Sequence, residues 1–245
     1  MLSNEIHAII EQGAKELNIK LPPGTEAAFG TYYDFLKKRG ELVNLTAISG
    51  VKEVARLHFL DSLALLNASI FINENIFQNA KVIDIGSGAG FPGVPLKLAE
   101  PSIRLTLLDS TGKRIDFLSD LCANLDVPAT FINKRAEEAA FDLDIREQYN
   151  IVVARAVARL NILCELCLPF ASPGGLFIAM KSIDIDNELI EAKNAIALMG
   201  AKLLGHYDYL ISGTEIVHRA VLIRKISNTP EKYPRRFARI QKAPL

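Results

Sequence analysis

The stretch Val82-Ile83-Asp84-Ile85-Gly86-Ser87-Gly88-Ala89-Gly90-Phe91-Pro92-Gly93 decides the fold of this chain. Its apolar first half predicts a strand that ends in an acidic residue and passes into a glycine loop. Glycines let the backbone turn tightly and bring its N–H groups close to a ligand. Pro92 is well placed to open the next helix, because proline is favoured in a first helical turn. The segment therefore predicts a strand, a ligand-binding loop and a helix, in that order.

Similar apolar runs recur after this stretch, with helical segments between them. The first five runs are KVIDIG, RLTLLD, ATFIN, NIVVARA and GGLFIAMK. This alternation predicts a parallel sheet covered by helices on both faces. After a predicted helix over NELIEAKNAIALMG, the runs AKLLGHYDYLI and EIVHRAVLIRKI flank a short turn and predict an antiparallel hairpin. The expected fold is α/β and Rossmann-like, with a seven-stranded, mostly parallel sheet.

The chain divides into three regions by pattern. In residues 1–78, large apolar residues recur every three or four positions, which predicts an N-terminal helical cap. Residues 79–226 contain the predicted sheet and form the core. Residues 227–245 form a basic tail with several prolines and no periodicity. We therefore expect a cap, a core and a tail.

Composition narrows the class of protein. The chain has 245 residues, 49% of them hydrophobic, and its 28 Lys and Arg balance its 28 Asp and Glu. Overall charge therefore gives no evidence for a nucleic-acid partner, and any such evidence must be local. The N-terminus lacks a signal-peptide pattern, and no uninterrupted apolar run reaches the roughly 18 residues of a membrane span. We expect a cytoplasmic protein without a membrane partner.

The three cysteines do not form a disulfide framework. Cys164 and Cys167 form a CxxC, but they lie in the apolar stretch NILCELCLPF, where this spacing places both on one helix face. No second Cys or His pair follows at zinc-finger spacing. We therefore expect these cysteines to pack in the core, with metal or redox chemistry as the alternative, and we expect no metal site.

The spacing of the glycine loop distinguishes between cofactors. A dinucleotide fingerprint requires a third glycine at the position of Phe91, whereas this chain reads D-x-G-x-G-x-G through Asp84, Gly86, Gly88 and Gly90. S-adenosyl-L-methionine has no pyrophosphate, and it carries a cationic sulfonium and amino group that suit an acidic strand end. The loop therefore favours S-adenosyl-L-methionine over NAD.

A second acidic residue ends the next predicted strand. The carboxyl ends of neighbouring parallel strands face one crevice, where the Asp109 carboxylate is able to accept both ribose hydroxyl protons. The alternative is that Asp109 caps the helix beginning near Ser110. Ala136 and Glu137, just past the third strand, occupy the corresponding position for the adenine end of the cofactor.

Further motifs extend over nearly the whole chain. They are Asn44-Leu45-Thr46-Ala47-Ile48, His58-Phe59-Leu60-Asp61-Ser62-Leu63, DIGSGAGFPGVPL, Asp109-Ser110, Lys113-Arg114, Phe117-Leu118, Ala154-Arg155-Ala156-Val157-Ala158, Tyr233-Pro234-Arg235-Arg236 and Lys242-Ala243-Pro244-Leu245. In these motifs the sequence resembles the glucose-inhibited division protein B family of small-subunit ribosomal RNA methyltransferases. Taken together, the motifs are highly specific to that family.

The resemblance implies a class I S-adenosylmethionine-dependent methyltransferase that modifies N7 of a guanine in 16S rRNA. It implies as partner the small ribosomal subunit or its assembly intermediate, and we expect a monomer. Carried over by position, the cofactor contacts of the family fall on Gly86, Phe91, Ala136, Glu137 and Arg155. The chain departs from the family pattern in two places, where glycines are replaced in Lys181-Ser182 and in Phe237-Ala238.

Chemistry at guanine N7 requires little of the protein. N7 carries a free lone pair, so its attack on the methyl group needs no deprotonation and no covalent intermediate, and positioning suffices. Arg155 is the candidate catalytic residue in this positioning role, with Lys181 assisting it at the substrate, and a purely structural ion pair is the alternative for Arg155. His58 and Asp61 either face the cofactor or form hydrogen bonds within the cap.

Basic residues concentrate toward the C-terminus. They are Arg219, Arg224, Lys225, Lys232, Arg235, Arg236, Arg239 and Lys242. Clustered positive charge is typical of phosphate contacts, and we expect Arg235 and Arg236 to bind RNA, with a solvated tail as the alternative. The residues alone leave two other functions open. One is methylation of another acceptor, such as tRNA, protein or a small molecule, and the other is a non-catalytic RNA-binding or assembly factor.

Overall fold

The computed structural model describes residues 2–39, 50–155 and 158–245 of the chain. The motif at residues 44–48 and the residues Ala156 and Val157 lie outside the described part. Among the described residues, five α-helices precede the sheet, and their bounds are α1 (Leu2–Glu16), α2 (Thr25–Arg39), α3 (Val51–Val54), α4 (Asp61–Leu63) and α5 (Ala68–Ile72). A π-helical turn, Ala55–Leu60, joins α3 to α4, and a 3-10 turn, Ala64–Asn67, joins α4 to α5.

The helical run Val51–Ile72 is long and apolar enough to cross a membrane by length and composition. Half of its most apolar window is buried inside the protein, however, and the core helix of a soluble protein passes the same test. Phe59, Leu60 and Leu63 of this run pack in the core. We therefore treat it as a core helix.

Seven strands follow the apolar runs of the sequence. Their bounds are β1 (Lys81–Ile85), β2 (Arg104–Asp109), β3 (Ala129–Asn133), β4 (Tyr149–Arg155), β5 (Ala171–Ser182), β6 (Ala201–Leu210) and β7 (Val217–Lys225). They form one sheet in the order β3-β2-β1-β4-β5-β7-β6, in which β7 runs antiparallel to both of its neighbours, β5 and β6. The expected parallel sheet closed by a hairpin is confirmed. The strand order reverses between β1 and β4, which is where ligands bind in such sheets.

The remaining helices cover both faces of the sheet. They are α6 (Gly93–Ala99), α7 (Gly112–Asn124), α8 (Ala136–Ala139), α9 (Leu160–Cys167), α10 (Asp186–Glu191), α11 (Lys193–Leu198) and α12 (Phe237–Lys242). One hydrophobic core lies between the sheet and the cap with α6 and α7. The second core lies on the opposite face, under α9 and α11. Cys164 and Cys167 are fully buried in this second core, where burial raises the pKa of both thiols.

Three local predictions differ from the structure. The helix expected over residues 187–200 is two helices, α10 and α11, which meet at Ala192. Pro92 precedes α6 rather than opening it, because the helix begins at Gly93. The tail, which showed no periodicity in the sequence, ends in a helix. This helix, α12, buries Ile240 in the second core. Phe237 and Ile240 are three residues apart, which is a helical spacing, but one such pair in a segment of six residues is too short to establish a period.

Candidate active site

The glycine loop joins β1 to α6 directly beneath the cap. Gly90 has a φ of +101°, and a Cβ atom there would lie 2.5 Å from the hydroxyl oxygen of Tyr32 on α2. That hydroxyl donates a hydrogen bond of 2.5 Å to the carbonyl oxygen of Ala89. Only glycine fits both the backbone conformation and this close approach. The loop is therefore shaped by the cap as well as by the sheet.

Asp84 lies behind the loop and is fully buried. Its Oδ2 atom accepts a hydrogen bond of 2.8 Å from the Gly93 N–H, while no donor in the described part of the chain reaches Oδ1. Burial raises the pKa of this carboxyl to about 7, and the Arg155 guanidinium opposes that rise. A nearby cation stabilises the ionised form of a buried carboxylate that has an unused acceptor oxygen. The sulfonium and amino groups of S-adenosylmethionine are cations of this kind.

Asp109 ends β2 and links two loops. Its Oδ2 atom accepts a hydrogen bond of 3.0 Å from the Gly88 N–H, and its Oδ1 atom accepts one of 2.9 Å from the Thr111 N–H. Thr111, and not Asp109, occupies the N-cap position of α7. The helix-cap alternative for Asp109 is therefore wrong. The carboxylate instead fixes the glycine loop against the turn that follows β2.

A cavity of about 310 Å³ opens at the carboxyl ends of β1, β2 and β4. Its lining residues are Ile85, Gly86, Leu108, Asp109, Ser110, Arg114, Arg135, Ala136, Glu137, Arg155, Leu166 and Phe237. We call it the cofactor cavity. It brings together five of the residues expected to bind the cofactor: Gly86, Asp109, Ala136, Glu137 and Arg155. The other four, Asp84, Gly88, Gly90 and Phe91, are not among its lining residues and belong to the loop and its support.

Arg155 lies at the end of β4 and forms a wall of this cavity. Its Nη1 atom donates to the carbonyl oxygen of Leu57 at 3.0 Å and lies 3.3 Å from Asp61 Oδ2. The guanidinium also lies over the Phe91 ring, 4.9 Å from its centroid. The Asp61 carboxylate, the Leu57 carbonyl oxygen and the Phe91 ring thus hold the guanidinium group. Together they fix the orientation of its plane.

His58 packs against the same group. Its ring stacks on Phe91 with centroids 4.7 Å apart, and its Nδ1 atom lies 3.2 Å from Arg155 Nη2. The same Nδ1 atom lies 3.0 Å from the carbonyl oxygen of Leu57, which only accepts, whereas a guanidinium only donates, so the two contacts require opposite roles of Nδ1. Burial and the adjacent Arg155 lower the pKa of His58 to about 4. The ring is therefore neutral at physiological pH.

A second cavity, of about 510 Å³, lies on the other side of Arg155. Its lining residues are Leu57, His58, Asp61, Arg155, Met180, Lys181, Ser182, Ile216 and His218. We call it the acceptor cavity. Neither His58 nor Asp61 is among the lining residues of the cofactor cavity, and the hydrogen bonds of the Asp61 carboxylate go to residues outside the cap.

Asp61 is the centre of the polar cluster in the acceptor cavity. Its buried carboxylate contacts Arg155 through Oδ2, while Oδ1 accepts a hydrogen bond of 2.8 Å from the Tyr209 hydroxyl. His218 Nδ1 also lies 2.8 Å from Oδ1. Tyr209 and His218 are paired across the β6–β7 hairpin. The cap, the fourth strand and the hairpin therefore meet at one carboxylate.

Lys181 lies near the end of β5 and lines the acceptor cavity. Its Nζ atom is 2.6 Å from Glu188 Oε2 and donates to the carbonyl oxygen of Ala158 at 3.1 Å. The ammonium group is therefore already paired at the rim of the cavity. A contact with substrate would share or exchange the Glu188 partner.

The C-terminal basic residues fall into two groups. Four of them are held by ion pairs with carboxylates: Arg219 with Asp208 and Asp186, Arg224 with Glu74, Lys225 with Glu147, and Arg235 with Glu165. The other four, Lys232, Arg236, Arg239 and Lys242, are exposed. Positive charge in the sequence thus overstates the cationic surface, because half of it is neutralised within the fold.

Sequence reasoning missed three residues of the site: Tyr209, His218 and Phe237. Tyr209 and His218 reach Asp61 only because the hairpin register pairs them, and Phe237 reaches the cofactor cavity only because the tail folds back. The departure of Phe237 from the family pattern was the one signal available for it.

A sheet of this order, with a glycine loop after β1 and acidic side chains at the ends of β1 and β2, defines a Rossmann-like, S-adenosylmethionine-dependent methyltransferase. The family model for rRNA small subunit methyltransferase G matches residues 25–209. The chain belongs to that family. It is therefore an S-adenosylmethionine-dependent enzyme that methylates 16S rRNA, as the sequence predicts.

Individual relatives agree with this assignment. The chain is 41% identical to ribosomal RNA small subunit methyltransferase G of Alkaliphilus oremlandii, covering 98% of this chain and 99% of that protein. It is 41% identical to the protein of the same name in Bacillus subtilis, covering 95% and 96%.

Solved structures show the same fold at low identity. A mutant of MtNAS has a TM-score of 0.55 at 14% identity, covering 91% of this chain and 87% of that one. TrmN from Thermus thermophilus has a TM-score of 0.51 at 15% identity, covering 68% and 48%. At these identities the likeness concerns the fold alone.

Proposed function

We propose that this protein methylates N7 of a guanine in 16S rRNA, with the cofactor in the cofactor cavity and the target base in the acceptor cavity. The observation that carries this proposal is the position of Arg155, which lines both cavities. A residue shared by two adjacent cavities is able to align a methyl donor in one with an acceptor in the other. Methyl transfer requires this alignment above all.

In the cofactor cavity, each part of the ligand has a suitable side chain. Asp109 faces the position expected for the ribose, where its carboxylate accepts hydroxyl protons, and Ala136 and Glu137 take the adenine end. Gly86 leaves the backbone open for the methionine part. Asp84, behind the loop, supplies negative charge through the wall rather than by direct contact. When bound, S-adenosylmethionine supplies an electrophilic methyl group on a cationic sulfur.

The chemistry at the base balances without a proton transfer. The N7 lone pair forms a bond to the methyl carbon as the carbon–sulfur bond breaks, and the electron pair of that bond stays on sulfur. The positive charge thereby moves from sulfur to the purine ring. A donor aimed at N7 would block the reaction, so the role left to Arg155 or Lys181 is a hydrogen bond to the neighbouring O6.

The charge of Arg155 must be compensated for this role. An uncompensated guanidinium would repel both the sulfonium and the methylated base. Asp61 lies 3.3 Å from Arg155 and has almost no exposed surface, so it offsets this charge at short range. Neutral His58 packs against the guanidinium without adding charge. The cluster therefore offers the N–H donors of Arg155 in a fixed direction, while its net positive charge is small.

RNA contacts are proposed for the exposed face of the tail. Arg236 is exposed beside a cavity of about 710 Å³ that shares Glu137 and Phe237 with the cofactor cavity. Lys232 and Arg239 line the same surface. Exposed cations on this surface are suited to bind RNA phosphates next to the cofactor cavity. Arg235, which the sequence also assigned to RNA, points toward Glu165 instead.

The wider setting is also part of the proposal. We propose that residues 1–78, 79–226 and 227–245 act as cap, catalytic core and tail. The proposed substrate is 16S rRNA within the small ribosomal subunit or its assembly intermediate, and the proposed active form is a monomer. Since its substrate is ribosomal RNA of a bacterial type, we place its action in the cytoplasm.

Transfer of labelled methyl groups tests the proposal. Small ribosomal subunits from a strain lacking the gene, and their deproteinised rRNA, are incubated with enzyme and labelled S-adenosylmethionine, and the product is digested to nucleosides. We expect label in 7-methylguanosine for the wild type. We expect Arg155→Ala to bind the cofactor but to transfer little label, and Arg155→Lys to recover only part of it. Label in another nucleoside, or full activity of Arg155→Ala, would contradict the assignment.

A further inference from the structure

The cofactor cavity has one wall that comes from the end of the chain. Phe237, the first residue of α12, lines the cavity together with Leu166 of α9. It also lines the neighbouring cavity beneath the exposed cations of the tail. Phe237 therefore separates the interior of the cofactor site from the surface on which we place RNA.

The tail is fastened at this place by a buried ion pair. The backbone N–H and Nε of Arg235 each donate to Glu165 Oε1 at 2.8 Å, and Nη2 lies 2.6 Å from Oε2. Glu165 is completely buried on α9 and precedes Leu166, its neighbour in the cavity wall. A bidentate contact of this kind fixes both the position and the direction of a side chain. Phe237 stands only two residues beyond it.

Other contacts hold the rest of the tail in place. Arg146 donates to the carbonyl oxygens of Thr229 at 2.9 Å and Tyr233 at 3.1 Å. Tyr233 and Ile240 are buried in the second core, on either side of Phe237 in the chain. The tail therefore packs as part of the fold before any ligand binds, and the Phe237 ring does not have to be ordered by the cofactor.

We propose that Phe237 contacts the adenine end of S-adenosylmethionine and that the Glu165–Arg235 ion pair is a positioning element for this contact. The proposal rests on the placement of the cofactor in this cavity. Ala136 and Glu137 form the same end of the cavity. An aromatic ring beside them supplies the apolar face that a purine base packs against. Arg235 thus serves cofactor binding, while Arg236, its exposed neighbour, faces RNA.

Calorimetric titration of the full-length protein tests the contact. We expect Phe237→Ala to weaken binding of S-adenosylmethionine about tenfold, with Phe237→Tyr close to wild type, since removing a ring that packs on a base has an effect of this order. Adenosine alone, used as a second ligand, should lose affinity by the same factor, because the contact is to the base. Gln241→Ala, an exposed change on the same helix, is the matched control and should leave both affinities unchanged.

A double-mutant cycle tests the positioning role. Arg235→Lys keeps a positive charge opposite Glu165 but loses the bidentate geometry. We expect it to weaken cofactor binding several-fold. In the Phe237→Ala background the same substitution should have no further effect. Additive losses of affinity would show that Arg235 acts independently of Phe237 and would overturn this part of the proposal. Thermal melts of each variant without ligand identify any protein that fails to fold.

The outcomes separate the two proposals. Unchanged affinity for S-adenosylmethionine and adenosine in Phe237→Ala, together with a large loss in Asp109→Asn, overturns the role of Phe237 and leaves the cofactor cavity in place. Unchanged affinity in both variants shows that the cofactor binds elsewhere, and the proposed placement then fails as well. A loss in Phe237→Ala that Phe237→Tyr restores supports the contact.

Discussion

The Arg155 guanidinium lies 3.3 Å from the Asp61 carboxylate, so a residue of the cap holds the residue that lines both cavities. We expect Asp61→Asn to lower the methyl-transfer rate about 10- to 100-fold, because a misplaced group near the reacting atoms has an effect of this size. Affinity for S-adenosylmethionine should change little. Single-turnover transfer to the small subunit and calorimetry measure the two quantities.

Tyr209→Phe is the graded comparison for Asp61→Asn. It removes one hydrogen bond to the carboxylate and leaves the Arg155 contact intact. We expect a smaller loss of rate than in Asp61→Asn. Equal rates for wild type and Asp61→Asn would contradict a positioning role for this carboxylate.

The carboxylate of Asp109 is expected to control cofactor affinity. Asp109→Asn exchanges an acceptor of two backbone N–H groups for a neutral amide. Hydrogen bonds to charged groups contribute about 1.5–3 kcal/mol, so we expect the Kd for S-adenosylmethionine to rise about 10- to 100-fold. Asp120→Asn, an exposed change on α7, is the control and should bind as the wild type does. Unaltered affinity in Asp109→Asn would remove this residue from the site.

Cofactor affinity should depend on pH through Asp84. Burial raises its carboxyl pKa to about 7, so the group is largely protonated at pH 6 and largely ionised at pH 8. The ionised form attracts a cationic ligand, so we expect tighter binding of S-adenosylmethionine as pH rises from 6 to 8, with proton release on binding near pH 7. Isothermal titration in buffers of different ionisation enthalpy measures both effects.

Asp84→Asn is the matched variant for this experiment. The amide oxygen is still able to accept from the Gly93 N–H, while the titrating proton is gone. A flat affinity profile is expected. A profile that remains as steep as that of the wild type would assign the pH dependence to another group.

The raised pKa of Asp84 affects stability in the opposite direction. The folded state holds the proton more tightly than the unfolded state does, so the free energy of unfolding falls as pH rises from about 4 to 7.

RNA affinity should depend on salt through the exposed cations of the tail. For Arg236→Gln and Arg239→Gln we expect weaker binding to the small subunit. The slope of log affinity against log salt concentration should become shallower by about 0.7 to 0.9 for each phosphate that the variant no longer neutralises. Arg224→Gln removes a charge that is paired with Glu74 and serves as the control. Salt slopes that do not differ between these variants would place the RNA elsewhere.

The contact between cap and loop should appear in stability. Tyr32→Phe leaves the buried Ala89 carbonyl oxygen without its donor, so we expect the free energy of unfolding to fall by about 1–3 kcal/mol. Thr31→Ala, on an exposed position of the same helix, should change it by less than about 0.5 kcal/mol. Urea denaturation measures both. Equal midpoints for Tyr32→Phe and wild type would show that the cap does not rely on this hydrogen bond.

The sequence by itself determined the sheet, the hairpin and the glycine loop. Each of these depends on local pattern, since apolar runs of strand length, a short turn and closely spaced glycines act through backbone geometry and burial within a few residues. For the same reason, the end of the second strand identified Asp109 as a member of the ligand crevice, because parallel strands bring their carboxyl ends together whatever the loops do. Gly86 and Arg155 were identified as cofactor contacts by the family resemblance.

Only the tertiary structure decided which charges are free and which residues complete the site. Arg235 and Arg236 are adjacent in sequence, yet one is paired with buried Glu165 and the other is exposed. Asp61 meets Tyr209 and His218 across about 150 residues of chain. Such contacts depend on how the cap, hairpin and tail pack, and that packing is the sum of many weak apolar contacts distributed over the whole chain, which no short motif records.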